Sequence, residues 1–167
     1  MNSENESILP ATLPQGRFSG RNEFAELVRQ AFAAAAIQGW REIMVCDADF
    51  ADWPLGERAF IQALGDWSRT GRQFTMIASN YDEIPRKHAR FVSWRRSWAH
   101  IVECRSCAAD KLPSALWSSN WVFERMDVQR CSGVAGPEAG RRIALRERLS
   151  ERLLHSSPAF AATTLGL

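Results

Sequence analysis

Glu42-Ile43-Met44-Val45-Cys46-Asp47-Ala48-Asp49 is the stretch on which the fold turns. An apolar run this short, closed by two carboxylates, reads as a strand buried on both faces. Before it, Phe24, Leu27, Val28, Ala31 and Ala35 recur at helical spacing, with Ser19 or Asn22 as N-cap and Gly39 as the stop. After it, Asp52 as cap, Pro54 in the first turn and an inner face of Phe60, Ala63, Leu64 and Trp67 predict a second helix ending at Gly71. Phe74-Thr75-Met76-Ile77-Ala78 is the next strand. A third helix is expected from about Asp82 to His100, with Ile84, Phe91, Trp94 and Trp98 on one side, and Ile101-Val102-Glu103-Cys104 is the third strand. Helices alternating with strands predict a parallel sheet with right-handed crossovers.

The texture then changes. Leu116-Trp117, the turn Ser118-Ser119-Asn120, Trp121-Val122-Phe123 and Val128-Gln129-Arg130-Cys131 predict short antiparallel strands, and a last helix from about Pro137 carries Ile143, Leu145, Leu149, Leu153 and Leu154. The expected class is α/β: a mixed sheet, largely parallel in its first half, with helices on both faces. Residues 1–19 read as a flexible arm and 20–167 as one domain.

A chain of 167 residues is enough for one core, and 46% hydrophobic with 24% charged residues is an ordinary globular balance. The longest apolar run, residues 32–37, is far short of the ~18–20 residues that span a bilayer, so no membrane association is expected. Residues 1–6 are acidic and lack the basic start and apolar stretch of a leader, which predicts a cytoplasmic protein whose four cysteines stay reduced. A net charge of +2 is too mild to imply nucleic-acid binding by the surface as a whole.

The order of elements, with the stretches Asp49-Phe50-Ala51-Asp52-Trp53-Pro54-Leu55 and Trp94-Arg95-Arg96-Ser97-Trp98-Ala99-His100, resembles one half of a phospholipase D-like fold. It is similar, too, to a bacterial family of uncharacterised domains of that shape. The resemblance covers roughly residues 20–160. Active members carry a His-x-Lys motif and then a Gly-Ser-x-Asn turn, because the His attacks phosphorus while the Lys and Asn hold phosphate oxygens. Ser118-Ser119-Asn120 partly resembles that turn, but residues 101–117 contain no His, and His88-Ala89-Arg90 stands earlier without a following Asp. The resemblance therefore implies the fold without the nucleophile. Such halves occur in pairs, so it further implies a homodimer, with the tryptophans and the apolar tail 159–167 as interface candidates.

Asp47-Ala48-Asp49 separately resembles the Asp-x-Asp start of haloacid-dehalogenase-like phosphatases, in which the first Asp is nucleophile, the second acid/base, and Mg²⁺ lies between them. Ser79 would match their phosphate-binding hydroxyl, with Asn80 beside it. Ala51 departs from that pattern, and no late strand ends in paired acids. The plainer reading is that Asp47, Asp49 and Asp52 cap turns and the start of the second helix. His88 beside the aspartates would supply an acid/base pair.

Arg86, Lys87, His88, Arg90, Arg95, Arg96 and His100 make the third helix basic. Helical spacing turns Arg86 and Arg90 outward and His88 and Arg95 toward the apolar side, there to meet buried partners such as the aspartates. Cys104-Arg105-Ser106-Cys107 has redox or zinc spacing without a second pair or a helix N-terminus, so no metal or cofactor is expected. The leading expectation is a non-catalytic phospholipase D-like module that binds a protein partner or an anionic ligand, with Arg86, Lys87, Arg90 and Arg96 as its basic surface. The alternatives are a Mg²⁺-dependent phosphatase or phosphodiesterase using Asp47 and Asp49, and nucleic-acid binding through residues 86–100.

Overall fold

The computed structural model describes residues 12–108 and 112–162; the acidic start 1–6 and the tail end 163–167 lie outside the described residues. One mixed sheet holds β1 (Gly16–Phe18), β2 (Glu42–Cys46), β3 (Gln73–Ala78), β4 (Val102–Ser106), β5 (Ser114–Ser118), β6 (Val122–Asp127), β7 (Ser132–Gly136) and β8 (Ser157–Pro158). Their order is β1-β7-β6-β5-β2-β3-β4-β8. β2, β3 and β4 run parallel, with Cys46 opposite Ile77 and Ala78 opposite Ser106. β5 joins the other side of β2 antiparallel, and β6, β7 and β1 extend the sheet from there in antiparallel fashion. The sheet thus grows in both directions from β2, which is where open α/β sheets form a crevice.

Strand alternation sets the layers. Ile43, Val45, Phe74, Met76, Leu116 and Phe123 face α1 (Arg21–Gln38), α2 (Arg58–Ser68), α3 (Glu83–Lys87) and α4 (Ala89–Ser97). Met44, Cys46, Ile77, Ala115 and Val122 face α5 (Ala139–Leu154) through Leu145 and Leu149. Helices therefore flank both faces, as the patterning predicts. Gly39 ends α1 in the left-handed conformation (φ 65°) and donates its N–H to the Ala35 carbonyl.

Several boundaries differ from the sequence reading for local reasons. Gly16–Phe18, read as part of the arm, pairs with β7 and buries Phe18. The second helix starts at Arg58, not near Pro54, because Asp52 is drawn off to Arg125 and residues 51–57 form turns. The third helix is broken at His88 (φ −129°, ψ 52°), whose ring is tied to the Phe50 carbonyl. Val128-Gln129-Arg130 is a turn, since Asp127 Oδ1 accepts the Arg130 N–H (3.0 Å) and closes it. Cys104 in β4 and Cys107 just past its end are buried in cores on opposite faces of the sheet, so their spacing makes no pair.

The tryptophans are largely core: Trp40, Trp53 and Trp67 are fully buried, and Trp67 Nε1 donates to the Trp40 carbonyl (2.6 Å). The described part of the tail seats on its own domain. Ala159 donates to the Cys104 carbonyl (3.0 Å), and the Phe160 ring stacks on Tyr81 at 5.2 Å.

Candidate functional site

The site begins where β2 ends. Asp47 continues the ladder by donating its N–H to the Ile77 carbonyl (3.1 Å), and its side chain points toward α1. Oδ2 accepts the N–H groups of Asp49 (3.2 Å) and Phe50 (2.8 Å), and Oδ1 accepts Arg125 Nη2 (2.9 Å). Arg125 is equally enclosed: Nη1 reaches Asp52 Oδ2 (3.1 Å) and Cys131 Sγ (3.4 Å), Nε donates to Ser114 Oγ (3.0 Å), and the guanidinium lies 4.3 Å over the Phe24 ring. Its side chain is 1% exposed and that of Asp47 4%. Burial alone would favour the neutral guanidine, but the Asp47 charge and the hydrogen bonds to Cys131, Asp47 and Asp52 leave the Arg125 pKa raised. Gly133, opposite Arg125 on β7, makes room: a Cβ there would come within 2.0 Å of the Glu124 carbonyl oxygen.

Above this ion pair, on the α5 side, a cavity of about 480 Å³ opens at the C-terminal edge of β2 and β3. Ala48 and Ser79 form its floor, Ser114 and Arg125 one wall, and Arg148 and Arg152 of α5 another. Arg148 is held by Glu124 in a two-pronged pair (2.7 and 2.6 Å), which raises its pKa chiefly through those hydrogen bonds. Arg152 is half-buried and has no hydrogen-bond or ion-pair partner among the described residues. Met126 and Val128, 68% and 48% exposed, form an apolar rim.

Parallel strands bring Asp47, Asp49, Ser79 and Asn80 to one sheet edge, where the Ala48 carbonyl accepts the N–H groups of Ser79 (2.9 Å) and Asn80 (3.3 Å). Of these, Ser79 lines the cavity. Asp49 Oδ1 accepts the Ala51 N–H (3.0 Å), and Asn80 Oδ1 accepts that of Asp82 (3.2 Å). Asp47, Asp49 and Asn80 thus act as turn-formers. His88 lies under Phe50 on the helix side, with Nε2 2.9 Å from the Phe50 carbonyl and a buried, unpartnered Nδ1. Burial foremost, and then Lys87, lower its pKa against the raising effect of the Phe50 carbonyl. Arg95 is also inward but meets the Phe160 carbonyl, so neither residue finds an aspartate; Arg125 takes that role. Arg86 and Lys87 are exposed beside Glu83, Arg90 Nη1 donates to the Gly56 carbonyl (2.9 Å), and Arg96 is exposed. No group of three or more His, Cys, Asp or Glu side chains is placed to hold a metal ion among the described residues. Both Asp47 oxygens already accept hydrogen bonds, and one oxygen of Asp49 accepts the Ala51 N–H.

Arg125, Ser114, Arg148 and Arg152 were not singled out by motif reasoning. Arg125 had a signal: alternation through Val122-Phe123-Glu124-Arg125 puts it on the same face as the core residue Phe123, where a charge requires partners.

No family model matches the chain, and no curated protein matches it. Among solved structures, TrmBL2, an archaeal chromatin protein with a novel mode of DNA binding, superposes with TM-score 0.67 at 13% identity over 93% of this chain. This chain spans 57% of that protein's length. NucT from Helicobacter pylori gives 0.57 at 7% identity over 87% of this chain and 99% of its own. The phospholipase D family member Nuc from Salmonella typhimurium gives 0.53 at 10% identity, over 80% and 91%. The fold is phospholipase D-like. Within that fold, Ser118-Ser119-Asn120 is the β5–β6 turn, opposite Ile43 at the start of β2, so it sits about 10 Å along the strand from the crevice edge. Its Ser118 Oγ serves the turn, accepting the Trp121 N–H (3.0 Å). None of the three histidines, His88, His100 and His155, lines the cavity.

Proposed function

We propose that this chain is a non-catalytic phospholipase D-like module that binds an anionic, phosphate-bearing ligand in the crevice above Ala48 and Ser79. One observation carries the reading: the cavity at the switch point of the sheet is lined by Arg125, Arg148 and Arg152 against Glu124 and Glu151, Arg152 makes no ion pair among the described residues, and the lining contains no histidine. An arginine with no ion-pair partner among the described residues and a serine hydroxyl at the base suit an anion, while a lining without histidine lacks the phospholipase D-type nucleophile. Asp47, the nucleophile of the alternative reading, is occupied as the counter-ion of Arg125. The protein is expected to work as a homodimer in the cytoplasm, a compartment consistent with four buried free thiols.

The test is hydrolysis of bis(para-nitrophenyl) phosphate and para-nitrophenyl phosphate, with and without Mg²⁺. No turnover is expected; turnover that Asp47→Asn or Asp49→Asn abolishes would establish the phosphotransfer enzyme instead.

A second reading rests on the outward cations of α3 and α4. Arg86 and Lys87 keep 78% and 52% of their side chains exposed, and Arg90 and Arg96 project from the same broken helix. Such a face fits a polyanion, and an archaeal chromatin protein of the same fold binds DNA. Binding of a fluorescent oligonucleotide that weakens steeply with salt and is lost on Arg86→Ala/Arg90→Ala would favour it.

A further inference from the structure

Arg95 is buried to 8% exposure on the inner face of α4, beside Phe91 and Trp94. Its Nε donates to the Phe160 carbonyl (3.3 Å), but its buried Nη1 has no hydrogen-bond partner, and no carboxylate pairs with it among the described residues. Arg125, buried more deeply still, has two carboxylates. An enclosed guanidinium without a counter-charge is a costly arrangement that an incoming anion relieves. The Cys104 thiol close by supplies no charge at neutral pH, because burial pushes it up to about 11 against the opposing pull of Arg95.

Arg95 lines a cavity of about 410 Å³ between α4, β4 and the tail. The other walls are largely apolar: Val102 and Cys104 from β4, and Pro158, Ala159 and Phe160 from the tail. The remaining charges, Arg105 and Glu103, face each other at 3.7 Å, and Arg105 is further committed to Ser156 through Nε (2.9 Å) and Nη2 (2.8 Å). Among the described residues, one guanidinium without a paired carboxylate therefore lines a largely apolar cavity. We propose that this cavity binds a monocarboxylate with a short apolar body, its carboxylate paired with the Arg95 guanidinium. A planar fork matches a carboxylate, and a single cation balances a single charge, whereas a dianionic phosphate would bring a second charge beside Glu103 with nothing to neutralise it. The site shares no residue with the crevice at β2, so each can fail without the other.

The experiment is titration of the full chain with hexanoate, hexanamide and inorganic phosphate, followed by calorimetry and by amide NMR shifts. Hexanoate is expected to shift the amides of Cys104, Arg105, Ala159 and Phe160 and to bind at least about tenfold more tightly than hexanamide or than phosphate does at these amides. Arg95→Met, which keeps the side chain's bulk, is expected to weaken hexanoate by about tenfold or more. Equal binding of hexanoate and hexanamide, tighter binding of phosphate at these amides, absence of shifts there, or unchanged affinity in Arg95→Met would each overturn the proposal. If Arg95→Met does not fold, the comparison of hexanoate with hexanamide on the unaltered chain decides.

Discussion

Replacing Arg125 by Met tests whether the ion pair beneath the crevice holds the two halves of the sheet together. The substitution keeps an unbranched side chain against the Phe24 ring but removes the charge from a group that is 1% exposed. Asp47 is then left enclosed with only the N–H groups of Asp49 and Phe50. Breaking a buried pair by removing one partner costs about 3–5 kcal/mol. Because those two N–H groups remain, the lower end, about 3 kcal/mol, is the expected loss. For a chain of this length that is a fall in Tm of roughly 6–12 °C. Urea denaturation of Arg125→Met, Asp47→Asn and the double variant gives the coupling directly. The double variant should be more stable than the sum of the single losses predicts, by about 1–3 kcal/mol. A loss below about 1 kcal/mol for Arg125→Met, or strict additivity, would refute the assignment of this pair as the hub of the site.

Gly133→Ala is expected to destabilise by about 2 kcal/mol or more, measured in the same denaturation assay, since the new Cβ would run into the Glu124 carbonyl and the Arg125 backbone. Burial lowers the His88 pKa in the folded chain, so the unfolded chain takes up the proton first. Stability should therefore fall as pH drops below the ordinary histidine value of 6.5, and His88→Gln should flatten that part of the profile in thermal melts across pH. Light scattering at micromolar concentration should give a mass near twice 18.8 kDa, and a constant 18.8 kDa through a dilution series would refute the dimer.

How much of this was legible in the sequence follows from what each signal depends on. The parallel strands β2, β3 and β4 were readable because continuous apolar runs closed by polar residues are local features, and their shared edge followed from parallel pairing. The inward turn of His88 and Arg95 was readable from helical spacing alone. The loop from Asp47 to Glu57 was not, because Asp52 resembles a helix cap until Arg125, 73 residues later, claims it. The cavity wall was hidden for the same reason: Arg148 and Arg152 look like the solvated face of an ordinary amphipathic helix. Only the docking of α5 over Ala115 and Val122 brings them to the strand ends.

The most direct test of the central claim is an amide NMR titration of the full chain with inorganic phosphate. Shifts concentrated at Ala48 and Ser79, and weakened by about tenfold in Arg152→Ala, are the predicted result. Shifts that miss Ala48 and Ser79, or an Arg152→Ala titration identical to that of the unaltered chain, would contradict it.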